Sequence, residues 1–285
     1  MRALVTGAGG QLGTDLVEAF ARGSAYQVVG ASRAHLDVAD RDAVRAAVAG
    51  VAPDVVVHAG AWTEVDACEA DPERAWRVNA VGTRHVAEAC ASAGAHLVYV
   101  STDYVFDGTL DRPYHEWDVP APRSVYGATK LAGEREAAGG LPGTAIVRTS
   151  WVCGRHGTNV VKTVLRLLGE ARALRFVDDQ RGCPTFTEDL ARAVVALAVD
   201  RRPGVFHLTN QGQTTWYGLA REVVALAGAD PARVEPIATA ELDPPRAAPR
   251  PANSVLDNAA WRASGLAPLA DYHQPLAALV AALVG

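Results

Sequence analysis

The segment Val5-Thr6-Gly7-Ala8-Gly9-Gly10-Gln11-Leu12-Gly13 constrains the fold of this chain more than any other. Gly7, Gly10 and Gly13 follow a short apolar run, Ala3-Leu4-Val5-Thr6, and open a stretch with apolar residues at helical spacing, Leu12, Leu16, Ala19 and Phe20. A buried strand feeding a helix through a glycine turn is the opening unit of a parallel α/β sheet. Glycine permits the tight turn and the close approach of another group to the backbone. The helix that begins there directs unpaired N–H groups and its positive dipole end at the turn, so a pyrophosphate is its natural occupant. The spacing is G-x-x-G-x-x-G rather than G-x-G-x-x-G, and a purely structural turn is the competing reading.

The alternation continues. Gln27–Ala31, Asp54–His58 and Leu97–Ser101 read as strands; Asp40–Ala49 and Pro72–Ala93 read as helices, the second with proline in its first turn and Gly94 just past its end. After about residue 150 the pattern changes to helices at Thr158–Leu168 and Glu188–Val199, short strands at Leu174–Val177 and Val205–Leu208, and a proline-rich stretch, Pro236 to Pro251, expected as extended loop. The fold class expected is α/β, a Rossmann-type doubly wound parallel sheet. Residues 1–150 form its nucleotide-binding domain, and residues 151–285 a smaller substrate lobe interleaved with late elements of the sheet.

A chain of 285 residues, 49% hydrophobic and 21% charged, has ample core for this. Its net charge of −5 gives no reason to expect nucleic acid. No apolar run approaches the roughly 20 residues that cross a bilayer, and the N-terminus is not a signal peptide, since glycines and then Asp15 and Glu18 interrupt it. Cys68, Cys90, Cys153 and Cys183 show no metal-ligand spacing and read as free thiols of the cytoplasm.

At the end of the second strand, a chain preferring NAD carries an acid for the ribose 2′-hydroxyl. Here Ala31-Ser32-Arg33 stands there, and Arg33 suits the 2′-phosphate of NADPH, with NADH as the alternative and a plain surface arginine as the bland one. Asp37-Val38 is placed to meet an adenine ring, and Ala59-Gly60-Ala61 is a small-residue edge along which a cofactor backbone passes. Further on, Tyr126 and Lys130 stand at i and i+4 on one helical face. Reducing a ketone needs a proton at oxygen while hydride arrives at carbon. A free tyrosine, with a pKa near ~10, is a poor exchanger at neutral pH, and an ammonium beside it lowers that value. Ser101-Thr102, at the carboxyl end of a buried strand, supplies a hydroxyl for the carbonyl oxygen where α/β sheets place their sites.

These blocks, with Asp103–Gly108, Gly133-Glu134, Arg148–Val152, Asp179–Thr185, Gly212–Tyr217 and Arg250–Ser254, resemble the dTDP-4-dehydrorhamnose reductases over residues 5 to 256. The resemblance implies NADPH-dependent reduction of the C4 keto group of dTDP-4-dehydro-6-deoxy-L-mannose to dTDP-L-rhamnose. It implies a catalytic trio of Thr102, Tyr126 and Lys130. Cofactor contacts fall at Gly10, Gln11, Leu12, Asp37, Val38 and Ala59 to Ala61, and sugar or nucleotide contacts at Val65, Thr102, Asp103, Tyr126 and Trp151.

The departures count as well. His58 replaces a frequent Asn and Cys153 a usual Tyr, which suggests an altered pocket wall. Some members dimerise through magnesium held by acids of both chains. Asp15 and Glu188 match two of those positions, but the terminal helix offers no third acid, which argues against the ion and leaves monomer and homodimer both open. Other readings remain: a 4-ketoreductase for another nucleotide-linked deoxysugar, and a non-catalytic regulatory subunit on the same fold, which need not keep the trio. A 4,6-dehydratase needs an acid pair after the threonine, and here Tyr104 follows Asp103.

Overall fold

In a computed structural model of the chain, which describes residues 1–23, 25–170 and 173–285, the glycine turn joins a strand, Arg2–Thr6, to a helix, Gln11–Arg22. Leu12, Leu16 and Phe20 form the buried row of that helix, the i, i+4, i+8 positions that face one way. Strands Gln27–Ala31, Val55–His58, His96–Thr102, Ala145–Thr149 and Gly204–His207 complete a six-stranded sheet whose pairings are all parallel. From one edge the order is 204–207, 145–149, 96–102, 55–58, 2–6 and 27–31. Val55 to His58 are all buried, because helices cover both faces of a parallel sheet.

On one face Leu16, Phe20, Leu190, Val194 and Leu197 pack on Val5, Val57 and Val98. On the other, Val44, Val48, Val86, Cys90 and Ala137 pack on Leu4, Val56 and Leu97. The fold is α/β and doubly wound. The second strand lies to one side of the first and the third to the other, and such a reversal opens a crevice beyond the carboxyl ends of the strands.

A separate core cluster, with Val161, Val164, Leu219, Val223, Leu276 and Val280, joins helices Val160–Gly169, Trp216–Leu226 and His273–Val284 to the parallel pair Leu174–Val177 and Val234–Ile237. The chain runs between the two cores more than once: helix Thr187–Asp200 and strand Gly204–His207 return to the sheet. All four cysteines are free and buried. Among the described residues no helix is long and apolar enough to cross a membrane.

Two elements differ from expectation. The long helix is interrupted at Arg77–Val81 by a π-turn between Pro72–Trp76 and Gly82–Ala93, a feature that residue periodicity does not encode. The proline-rich stretch is not loop throughout, since Val234–Ile237 is a strand. Pro236 fits there because the pair has only edges, where a missing N–H is tolerated.

Candidate active site

A cavity of about 780 Å³ opens at the carboxyl ends of the strands. Its lining includes Gly7, Gly10, Gln11, Leu12, Arg33, Asp37, Val38, Ala59, Gly60, Ala61, Val65, Thr102, Asp103, Tyr126, Lys130 and Trp151. Residues read from separate motifs thus share one space.

At its floor, Gly7 has φ +72°, and a Cβ there would stand 2.7 Å from the Gly60 nitrogen. A Cβ on Gly13 would meet the Gly7 carbonyl oxygen at 2.1 Å. The glycines therefore bring the turn, the first helix and the small-residue edge into backbone contact. Gly10 is the N-cap, no side chain caps the helix, and its first turn carries no acid, so its first N–H groups suit an anion. Arg33 and Asp37 are exposed at the rim, and Asp37 accepts from the Ala39 nitrogen at 3.0 Å.

The side chains read from the sequence as reacting groups come from two elements. Thr102 ends its strand, and its hydroxyl donates to Oδ1 of Asp103 at 2.9 Å. Tyr126 and Lys130 lie in the first turns of helix Val125–Gly140, which is capped by Ser124 accepting from the Gly127 nitrogen at 3.1 Å. Burial pushes the Tyr126 phenol well above its ordinary value, against the lowering effect of the Thr102 hydroxyl; Asp103 and Tyr104 raise it further. The expected downward push from Lys130 is not what the protein alone produces. Lys130 instead donates to the Val100 carbonyl at 2.7 Å, with its ammonium 4.2 Å from the centre of the Tyr99 ring. Burial lowers its amine to about 7, opposed by Glu134. The Asp103 carboxyl, also buried, is pushed up to about 6 although Ser254 and Thr102 bond it.

The sequence profile described as the RmlD substrate binding domain matches residues 1–284. The dTDP-4-dehydrorhamnose reductase of Streptomyces griseus is 47% identical over 100% of this chain and 94% of its own length. The chain belongs to this family. The dTDP-4-keto-6-deoxy-D-glucose reductase of Streptomyces niveus is 46% identical over 94% of this chain and 92% of its own length. Among solved structures, the dTDP-4-dehydrorhamnose reductase of Bacillus anthracis in complex with NADP superposes with a TM-score of 0.93 at 34% identity, covering 99% of each chain.

Within this reductase family the departures in sequence now have places. His58 and Cys153 do not line the cavity; both lie behind its wall. His58 is fully buried between Thr6, at 2.6 Å from Nδ1, and Thr83, at 3.2 Å from Nε2. Thr83 donates its own proton to the Asn79 carbonyl, so Nε2 carries the hydrogen and Nδ1 accepts. Burial, and then Lys130, lower this imidazole to about 3. Cys153 sits in the core of the second lobe. Neither side chain reaches the cavity, so the change these two residues suggested lies behind its wall and not in it.

Asn79 escaped the sequence reading. It stands on the π-turn, donates to Thr129 at 3.1 Å and to the Trp62 carbonyl at 3.1 Å, and accepts from the Trp62 nitrogen at 2.8 Å. It thereby ties the cavity edge to the helix of Tyr126 and Lys130. The available signal was an asparagine in a helix interior, where its side chain competes with the backbone. Arg250 was quoted only as part of a motif. It bonds both oxygens of Asp66, next to Val65, and its guanidinium lies beside Tyr104.

The residues do not fit the magnesium ion that the resemblance raised. Glu188 faces Arg155 at 3.8 Å. Asp15 faces His156 at 3.6 Å, and the same imidazole stands 3.7 Å from Glu18. Magnesium favours oxygen donors in octahedral array, whereas the one convergent set among the described residues, Asp15, Glu18 and His156, includes a nitrogen donor.

Proposed function

We propose that this chain is an NADPH-dependent reductase of the C4 keto group of a dTDP-linked 6-deoxysugar, converting dTDP-4-dehydro-6-deoxy-L-mannose to dTDP-L-rhamnose. The observation that carries this reading is the meeting of Thr102, Tyr126 and Lys130 in the same cavity as the glycine turn.

The first helix would hold the pyrophosphate of NADPH and Arg33 its 2′-phosphate, and the cofactor would supply the hydride at carbon. Gly10, Gln11 and Leu12 hold the phosphates with backbone N–H groups, while Asp37, Val38 and the edge Ala59 to Ala61 flank the rest of the nucleotide. Tyr126, joined by Thr102 once its hydroxyl turns from Asp103 to the substrate, holds the carbonyl oxygen and stabilises the charge that grows on it. Burial keeps the Tyr126 phenol protonated, which is the form a proton donor needs; Tyr126 then gives that proton to the new alkoxide. The Lys130 amine, in its charged form, would supply positive charge to the site and bond the nicotinamide ribose. Val65, Asp103 and Trp151 orient the sugar and its nucleotide. Residues 1–150 serve the cofactor and the reacting end of the sugar, and residues 151–285 form the lobe that grips the rest of the substrate, so that binding energy remote from C4 fixes its approach. The protein works in the cytoplasm as a monomer or homodimer, needs neither nucleic acid nor membrane, and takes no step through magnesium.

A second reading, reduction of a different dTDP-4-keto-6-deoxysugar, is favoured by one observation: relatives of nearly equal similarity are named for different deoxysugars. NADPH oxidation with dTDP-4-dehydro-L-rhamnose, generated in place, separates the two. Rapid oxidation with dTDP-L-rhamnose as product supports the first. No oxidation there but turnover on another dTDP-4-keto sugar supports the second, and failure on all of them ends both.

A further inference from the structure

We propose that Trp216 is a positioning residue: it holds the indole of Trp151 in the orientation that seats the sugar nucleotide. This rests on the functional reading above.

Trp151 has φ +46°, a left-handed backbone that bulky residues rarely adopt. It follows the last sheet strand of the first half and lines the cavity with Thr149 and Ser150. Its backbone is pinned, since its carbonyl accepts from the Thr185 nitrogen at 3.2 Å and the neighbouring Ser150 hydroxyl donates to the Cys183 carbonyl at 2.7 Å. The strained turn thus projects an indole at the cavity, but backbone bonds do not fix the plane of a ring.

Two neighbours do. The Trp216 ring lies parallel to the Trp151 ring, with centroids 3.5 Å apart and planes 7° apart. Against the same indole lies Gly182, where a Cβ would come within 2.4 Å of Trp151 Cε2. Both neighbours belong to one small structure: Gly182 pairs with Thr214 in a two-stranded antiparallel ribbon, and Trp216 begins the helix that follows it. Thr215 caps that helix by accepting from the Gly218 nitrogen at 3.0 Å and ties it down by donating to Asp178 Oδ1 at 2.6 Å. The ribbon is therefore a clamp with one flat aromatic jaw and one bare backbone jaw. Trp216 itself does not line the cavity, so it acts on a ligand only through Trp151. An aromatic pair suits the task, because a large flat side chain is ordered at the cost of two torsions.

The test uses Trp216→Leu and Trp216→Phe in the full chain, with the wild type in parallel. Three readouts are taken: steady-state constants with the keto sugar, binding of dTDP-glucose, and the far-ultraviolet circular dichroism couplet that two stacked indoles produce. Trp216→Leu is expected to lose the couplet and to raise the KM for the keto sugar and the Kd for dTDP-glucose about tenfold, the upper end of what an aromatic pair contributes. The KM for NADPH and the melting temperature should stay near wild type, and Trp216→Phe should restore most of the sugar affinity. Loss of the couplet with unchanged sugar affinity overturns the proposal. So does an equal rise in the NADPH KM, or a phenylalanine variant no better than leucine. If the wild type binds dTDP-glucose but reduces no keto sugar, the functional reading fails while the binding arm still decides the role of Trp216.

Discussion

Thr102 donates its hydroxyl to the carboxylate of Asp103, the next residue, across 2.9 Å. That bond occupies, in the free protein, the hydroxyl proposed to turn to the substrate oxygen, and it places a buried acid beside the proposed reacting centre.

The acid makes the first prediction. Asp103 is raised from 3.8 to about 6 by burial, so folding disfavours its ionised form. The cost is absent below the ordinary value, grows as pH rises through the folded value and is fully present above it. A shift of this size corresponds to roughly 3 kcal/mol. Asp103→Asn should therefore be near neutral for stability at about pH 4 and stabilising by up to roughly 3 kcal/mol at about pH 8. Thermal melts at the two values check this, and an equal effect at both would contradict it.

Lys130 gives the second. Burial brings its amine to about 7, so the charged fraction falls as pH rises through neutrality. Because the mechanism uses the charged form, kcat/KM should decline about tenfold per unit above about pH 7. Lys130→Arg, whose charge persists above pH ~12, should flatten that limb whatever it does to the plateau. A pH profile of both proteins decides, and an identical alkaline limb would remove Lys130 from the account.

The parts of this molecule that follow from local rules were legible in its sequence. Gly7, Gly10 and Gly13 announced the first turn, Leu12, Leu16 and Phe20 the first helix, and the run from Val55 to Val57 a strand buried on both faces. The shared cavity of Thr102, Tyr126 and Lys130 follows from parallel topology, which gathers the carboxyl ends of distant strands on one edge. What could not be read depends on contacts made at long range. The π-turn under Asn79 leaves no periodic trace, and whether His58 faces the cavity or the core is a matter of which way one side chain turns. The effect expected of Lys130 on Tyr126 was misjudged because helical spacing conveys proximity but not burial, and burial dominates both groups.

Arg33 makes the third prediction. It stands exposed at the cavity rim just past the second strand, whose end, Ala31-Ser32, carries no carboxylate. Arg33→Ala should raise the KM for NADPH about tenfold, as expected for losing one charge-assisted hydrogen-bond partner of about 1.5 kcal/mol. The KM for NADH should hold. Parallel titrations of the two cofactors measure the ratio, and equal weakening of both would deny Arg33 any part in the choice.

A buried ion pair underlies the fourth. Arg148 bonds both oxygens of Glu134 at 2.9 and 2.7 Å, and Ser101 donates to the same carboxylate at 2.6 Å. The pair bolts the helix of Tyr126 to the adjacent strand inside the protein. Arg148→Met strands a buried charge and should destabilise the fold by about 3–5 kcal/mol. Glu134→Gln combined with Arg148→Met should cost less than the sum of the two single changes. Urea unfolding of the singles and the double closes the cycle, and strict additivity would show that the two do not act as a pair.

The most direct test of the whole account is Tyr126→Phe, which removes one hydroxyl and little else. With NADPH binding followed separately, kcat for the keto sugar should fall by about 10²–10⁴-fold while cofactor affinity stays near wild type, as expected on losing a positioned proton donor. Turnover close to wild type would mean that the proton comes from elsewhere, and that the reading of Tyr126 as the acid of a keto-sugar reductase is wrong.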